Sequence, residues 1–150
     1  MKMILQRVLN AKVTIDGETK GEIGKGYLIL LGVSNSDNKE IADKMIEKVS
    51  RLRIFEDSNG KTNLSIDQIG GEILIVSQFT LYADCRKGNR PSFINAGNPE
   101  LAKELYEYMV EKSKELFNNV QCGVFGADMK VALTNDGPFT LVIDSDEILK

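Results

Sequence analysis

The side chains best placed to do chemistry fall in two short segments. Ser77-Gln78-Phe79-Thr80-Leu81 directly follows the apolar run Ile73-Leu74-Ile75-Val76. Hydroxyl and amide groups therefore gather where a buried strand should end. Such an end can aim backbone N–H groups and hydroxyls into a pocket. The same residues also read as an ordinary strand leaving the core, since hydroxyl residues are common turn formers. The second segment is Thr134-Asn135-Asp136-Gly137-Pro138-Phe139-Thr140. Taken alone, its Gly-Pro pair reads as a turn. Glycine there would also let a ligand or another backbone approach closely.

The chain contains no histidine. That removes Ser-His-Asp and Cys-His catalysis, together with most zinc and non-haem iron sites. Catalysis would have to use carboxylates, hydroxyls, thiols, amines, backbone amides or the substrate itself. Cys85 and Cys122 are the only cysteines and do not form a Cys-x-x-Cys pair. Neither a disulfide framework nor a metal site is expected. Cys85 adjoins the one local cationic stretch, Arg86-Lys87-Gly88-Asn89-Arg90-Pro91-Ser92-Phe93. Cationic surroundings can lower a thiol pKa. With no base beside it, Cys85 is not expected to act as a nucleophile. Arg86, Lys87 and Arg90 could meet RNA phosphates, although a solvated surface loop explains them as simply. Met129 and Phe93 read as core residues. Gly21 to Gly26 lacks the Lys-Ser/Thr ending of a phosphate-binding loop.

The elements that must position these groups read as strands, helix, strand, helix, strands. Lys2 to Val8 is a first strand. Lys12 to Ile15 meets Asp16-Gly17, a strong hairpin signal, and Thr19 to Ile23 returns. Tyr27 to Val33 is nearly all apolar, as a strand buried on both faces should be. A first helix starts around Asp37-Asn38-Lys39-Glu40 and places Ile41, Met45, Val49 and Leu52 on one face. Glu56 to Asn63 is a polar turn, and Ile73 to Val76 a buried strand. A second helix starts at Asn98-Pro99-Glu100, a cap followed by proline at the first helical position. Leu101, Leu105, Met109 and Leu116 make its buried stripe. Val120 to Val124, Lys130 to Thr134 and Phe139 to Ile143 complete the strands. This order predicts an α+β domain over residues 1–150 with a mostly antiparallel, barrel-like sheet and two main helices.

Composition agrees with one globular domain: 150 residues, 42% hydrophobic and 27% charged. No apolar run approaches the roughly 18–20 residues of a membrane span, and the N-terminus has no signal-peptide core. A cytoplasmic protein is expected. A net charge of -3 argues against a broad nucleic-acid-binding face, and no DNA partner is expected. It leaves room for a small basic patch touching the end of an RNA.

Together the two segments closely resemble the paired motifs of the D-aminoacyl-tRNA deacylases. Leu5-Gln6-Arg7-Val8, Gly21-Glu22-Ile23-Gly24-Lys25-Gly26 and Lys87-Gly88-Asn89-Arg90-Pro91-Ser92-Phe93 resemble the same family in the expected order. The likeness spans essentially the whole chain. It implies a homodimer of barrel-like α+β subunits with no metal and no organic cofactor. It implies that Ser77, Gln78, Phe79 and Thr80 form the catalytic floor and wall of a pocket for the 3′-terminal adenosine and its aminoacyl group. Gly137-Pro138 would be a cis peptide reaching into the partner subunit's pocket to reject L-substrates. Arg7 would fix that loop, and Met129 would line the adenine end. Many members resemble this pattern with valine where Phe139 stands, which bears on local packing.

The implied reaction is hydrolysis of the ester in D-aminoacyl-tRNA, and of mischarged glycyl-tRNA, as a proofreading step. An aminoacyl ester beside a ribose 2′-hydroxyl is already labile, so positioning and an oxyanion site matter more than a strong base. Backbone N–H groups near Phe79 and Thr80 could supply that site, with the RNA 2′-hydroxyl assisting. Thr80 as covalent nucleophile is the competing mechanism. A non-catalytic module binding tRNA ends and a small-molecule esterase are the competing functions.

Overall fold

A computed structural model describes residues 1–150. Strand β1 (Lys2–Ile15) is the spine, pairing antiparallel with three others. Its first half pairs with β3 (Gly26–Gly32) and its second half with β2 (Glu18–Ile23). Along its other edge it pairs with β8 (Lys130–Asp144). The turn between β1 and β2 is built as expected, with positive φ at both Asp16 (51°) and Gly17 (78°), the signature of a tight primed hairpin turn.

The sheet continues from β3 to β6 (Glu72–Ser77) and β7 (Val120–Cys122). These two pairings are parallel, so the sheet is mixed. The reason lies in the connections. A parallel pairing needs a long crossover, usually helical. Helix α1 (Lys39–Ser50) lies between β3 and β6, and helix α2 (Pro99–Leu116) between β6 and β7. At the far side β2 comes against β6 and β7. A Cβ placed on Gly21 would lie 3.2 Å from the Cys122 carbonyl oxygen and 3.3 Å from Leu74 Cδ1. The sheet thus curls into a nearly closed barrel.

Two cores follow from this curl. The larger joins one sheet face to both helices through Met3, Leu5, Tyr27, Ile29, Ile73 and Ile75, against Met45, Val49, Leu105 and Met109. The smaller fills the barrel with Val8, Ala11, Val13, Ile23, Leu28, Leu74 and Val76. Strand β1 therefore serves both cores. Its ladder with β8 is irregular between Gln6 and Asn10, and such irregularities let one strand change the face it buries.

Several boundaries differ from the sequence reading. The expected break between Val8 and Lys12 is absent. Leu9 and Asn10 are exposed, but pairing to β8 continues through Val8–Asn135 and Asn10–Thr134. Likewise Lys130–Thr134 and Phe139–Ile143 join into the single strand β8. The polar turn at Glu56–Asn63 exists, but it closes an unforeseen hairpin of β4 (Arg53–Glu56) and β5 (Thr62–Ser65). Asp57 accepts N–H bonds from Asn59 (2.9 Å) and Lys61 (3.0 Å) in that turn.

Both helices begin where their caps predict. The Asn38 side chain accepts from Ile41 N, and Asn98 from Leu101 N, each at 3.0 Å. Asp37 serves another purpose. It is buried and pairs with the Met1 amine at 2.5 Å. Leu116 is exposed, and the α2 stripe is instead Ala102, Leu105, Tyr106, Met109, Val110 and Ser113. The helix ends at Leu116, so the following Phe117 fills the core there. A third, four-residue helix, α3 (Ser145–Ile148), closes the chain. No helix is long and apolar enough to cross a membrane.

Candidate active site

Strand β6 delivers Ser77 and Gln78 to the rim of the barrel, where Phe79–Tyr82 form a single 3-10 turn. Gln78 N–H donates to the Leu31 carbonyl at 2.8 Å, tying the turn to β3. The next two amides, Phe79 and Thr80, open the 3-10 turn, and the first amides of a helical turn find no partner inside it. The Gln78 side-chain amide donates to Thr80 Oγ1.

This rim forms one wall of a cavity of about 820 Å³. Ser77, Gln78, Phe79 and Met129 line it as the sequence reading expected. Thr80 does not; it is exposed just outside. A second wall comes from the segment running into α2, through Phe93, Ile94 and Ala96 to Pro99, which sequence reasoning missed as a wall. Phe93 is not a core residue. It is 38% exposed and meets Phe79, itself 54% exposed, edge to face at 5.2 Å between ring centres. No local pattern marks this wall, because contacts across the fold create it. Met129 reaches the cavity because Gly123 leaves room; a Cβ there would lie 2.4 Å from the Met129 sulfur. Asp128 is the only formally charged side chain in the lining.

Arg7 and the Gly137–Pro138 pair lie elsewhere on the chain and do not line this cavity. They do meet each other. In the β1–β8 ladder Gln6 pairs with Thr140 and Val8 with Asn135. Four residues, Asp136 to Phe139, therefore bulge opposite the single residue Arg7. Proline has no N–H to give the ladder, so pairing fails where it stands. The Gly137–Pro138 bond is cis. Arg7 is 4% exposed and divides its guanidinium between this bulge and Ile54. Its Nε donates to the Asp136 carbonyl (3.3 Å) and lies 3.0 Å from the Asp136 carboxylate. Nη2 donates to the Gly137 carbonyl (3.3 Å), and Nη1 to the Ile54 carbonyl (2.6 Å). The guanidinium carbon sits 4.4 Å from the centre of the Phe139 ring. Gly137 and Pro138 are both exposed, between the half-buried Asp136 and Phe139.

The cationic loop is closed by an antiparallel bridge between Asp84 and Ser92, with bonds of 2.7 and 2.9 Å. Arg86 folds back on Asp84 with contacts of 2.9 and 2.6 Å. The Arg86 side chain and backbone N–H together hold the Asp84 carboxyl down at about 2. Lys87 and Arg90 form no ion pair with any carboxylate of the chain, and both are exposed. Of the three expected phosphate contacts, these two are the ones left free.

Comparison with known proteins identifies the family. The family model described as D-Tyr-tRNA(Tyr) deacylase matches residues 4–144. A D-aminoacyl-tRNA deacylase of Clostridioides difficile is 55% identical over 147 residues, covering 98% of this chain and 99% of the relative. One from Thermosipho africanus is 53% identical over 148 residues, covering 99% of each. Among solved structures, one described as a c-Myc DNA unwinding element binding protein superimposes with a TM-score of 0.91 at 39% identity, covering 96% of this chain and 98% of that one. Another, described as a probable eukaryotic D-amino acid tRNA deacylase, shares the fold with a TM-score of 0.80 at 16% identity, covering 95% of this chain and 97% of that one. The chain belongs to the D-Tyr-tRNA(Tyr) deacylase family.

Proposed function

We propose that the protein hydrolyses the ester bond of D-aminoacyl-tRNA, releasing tRNA and a D-amino acid, as a chirality check in translation. Family membership supports the deacylase activity. The cavity supports the kind of ligand: it is large, mostly apolar and lined by three aromatic rings, Phe79, Phe93 and Phe125, as suits a nucleobase with an attached aminoacyl group. The amides of Phe79 and Thr80 receive the ester's developing oxyanion, a water attacks, and the ribose 2′-hydroxyl assists. No histidine is needed, because positioning of an already labile ester carries the rate.

The observation that carries the chiral part of this reading is the separation of the two motifs. The Gly137–Pro138 bulge is held by Arg7 yet stands apart from the cavity of its own chain. It would complete the cavity of a second copy in a homodimer. Its carbonyls would hold the substrate's α-amino group, and an L side chain would collide with the bulge. Glycine, with no side chain, would pass, so glycyl-tRNA would also be cleaved. The activity would belong to the cytoplasm, where translation occurs.

The decisive experiment compares D-tyrosyl-tRNA, L-tyrosyl-tRNA, glycyl-tRNA and the free D-tyrosine ester. The reading expects cleavage of the first and third alone. Comparable rates on the D and L forms would overturn the chiral filter. Preference for the small ester would make the protein a general esterase, and binding without turnover would make it an RNA-end binding module.

A further inference from the structure

Two walls of the cavity rest on the same short stretch of chain. Strand β3 ends at Gly32, followed by Val33 and Ser34. On one side the 3-10 turn packs on Gly32. A Cβ there would lie 3.0 Å from Leu81 Cβ, 3.1 Å from the Gln78 carbonyl oxygen and 3.4 Å from Tyr82 Cδ2. On the other side Gly97 N–H donates to the Val33 carbonyl at 2.7 Å. A Cβ on Gly97 would lie 3.1 Å from that same oxygen and 3.2 Å from both the Ser34 carbonyl carbon and its oxygen. Most of these neighbours are backbone atoms or a Cβ, which cannot rotate aside. Neither glycine has positive φ. Conformational freedom therefore does not call for glycine at either place; space does.

We propose that Gly32 and Gly97 are positioning residues that together set the width of the cavity. Gly32 fixes the depth at which the Phe79 and Thr80 amides stand. Gly97 fixes the facing wall from Phe93 to Asn98. This rests on the deacylase reading above. A methyl group on Gly32 pushes the 3-10 turn outward by a few tenths of an ångström, and the amides move with it. Misplacement by about 1 Å can cost about 100-fold in rate, so a shift of about 0.3 Å costs on the order of four-fold in kcat. A methyl group on Gly97 displaces a wall that grips the ligand alike in ground and transition states. That change appears in KM.

The test makes Gly32→Ala and Gly97→Ala in the full chain. It measures kcat and KM on D-tyrosyl-tRNA and records backbone amide NMR spectra. Gly32→Ala is expected to lower kcat about four-fold while KM stays within about two-fold. It should also shift the Phe79 and Thr80 amide resonances and leave that of Gly137 in place. Gly97→Ala should raise KM and hold kcat. The proposal is overturned if Gly32→Ala keeps the parent kcat and unshifted resonances, or if both variants change kcat and KM together as general loosening would. Should Gly32→Ala fail to fold, Gly97→Ala decides alone: a raised KM at constant kcat supports the proposal, and unchanged kinetics sink it. If the parent protein leaves D-tyrosyl-tRNA intact, the deacylase reading fails, while the amide shifts still decide the geometry.

Discussion

Replacing Arg7 by lysine tests whether one buried cation holds the Gly137–Pro138 bulge. The guanidinium donates to three carbonyls, those of Ile54, Asp136 and Gly137, and also faces the Asp136 carboxylate. A lysine ammonium is a single point at the end of a flexible stem. From a site this enclosed it can keep the Asp136 carboxylate and one carbonyl. Two charge-assisted bonds are then lost, each worth about 1.5–3 kcal/mol. Both bonds to the bulge are long, at 3.3 Å, so the lower end applies and the loss is about 3 kcal/mol. For a chain of this length that lowers Tm by roughly 6–12 °C. Urea denaturation, with the slope m held constant, is the direct assay. The kinetic consequence should be separate and specific. With the bulge free to move, the ratio of D- to L-tyrosyl-tRNA cleavage should fall, chiefly through a rise in the L rate. A Cm equal to the parent's together with an unchanged D/L ratio would refute the reasoning, because the carbonyl bonds to Arg7 would then hold nothing that matters.

Thr80→Ala should retain single-turnover deacylation within about ten-fold, since the role assigned to Thr80 is its backbone amide. Loss of a true nucleophile would cost on the order of a thousand-fold or more, and a trapped acyl-enzyme would decide for that mechanism. Lys87→Ala combined with Arg90→Ala should weaken tRNA binding and flatten its salt dependence by about 0.7 for each phosphate no longer neutralised, as for a single strand; Arg86→Ala should change the slope less, because Asp84 already engages it. Tyr27→Phe should leave stability unchanged or raise it by about 1 kcal/mol. The Tyr27 hydroxyl is buried without a hydrogen-bond partner, and burial pushes its pKa far above the usual phenol range, with Arg7 opposing. A clear loss of stability on urea titration would mean that the hydroxyl has a partner in solution.

What the sequence reveals is what is local. Helix starts are written in side-chain caps, so Asn38 and Asn98 are found without a structure. The apolar run from Tyr27 reads correctly as a doubly buried strand. Continuity of a strand is not local. Leu9-Asn10 and Asp136 to Phe139 both interrupt apolar alternation, yet each lies within a long strand because the two strands pair on either side of the interruption. The site divides in the same way. Ser77, Gln78 and Phe79 are legible because a strand ends there in polar residues. Phe93 to Pro99 are not, because the wall they form exists only where β3, α2 and the 3-10 turn converge. The same limit applies to Arg86, whose pairing with Asp84 depends on a loop closed by a bridge to Ser92.

Charge placement explains how a chain of net charge -3 can take an RNA substrate. A protein that grips many phosphates gains affinity by releasing counterions and needs a broad basic face. In the cationic loop the free side chains are Lys87 and Arg90, and they stand outside the cavity. The lining carries one formal charge, the negative Asp128. That carboxylate is exposed and paired with Lys130 at 2.7 Å, so the lining offers a phosphate no free cation. On the deacylase reading, binding must then come from the base and the ester inside, through stacking on Phe79 and Phe93 and through hydrogen bonds to the amides. Stacking of a base on an aromatic ring is worth about 1–3 kcal/mol and, involving no counterion release, barely depends on salt. An enzyme built this way recognises the end of an RNA rather than its length, which is where the ester it cleaves is found.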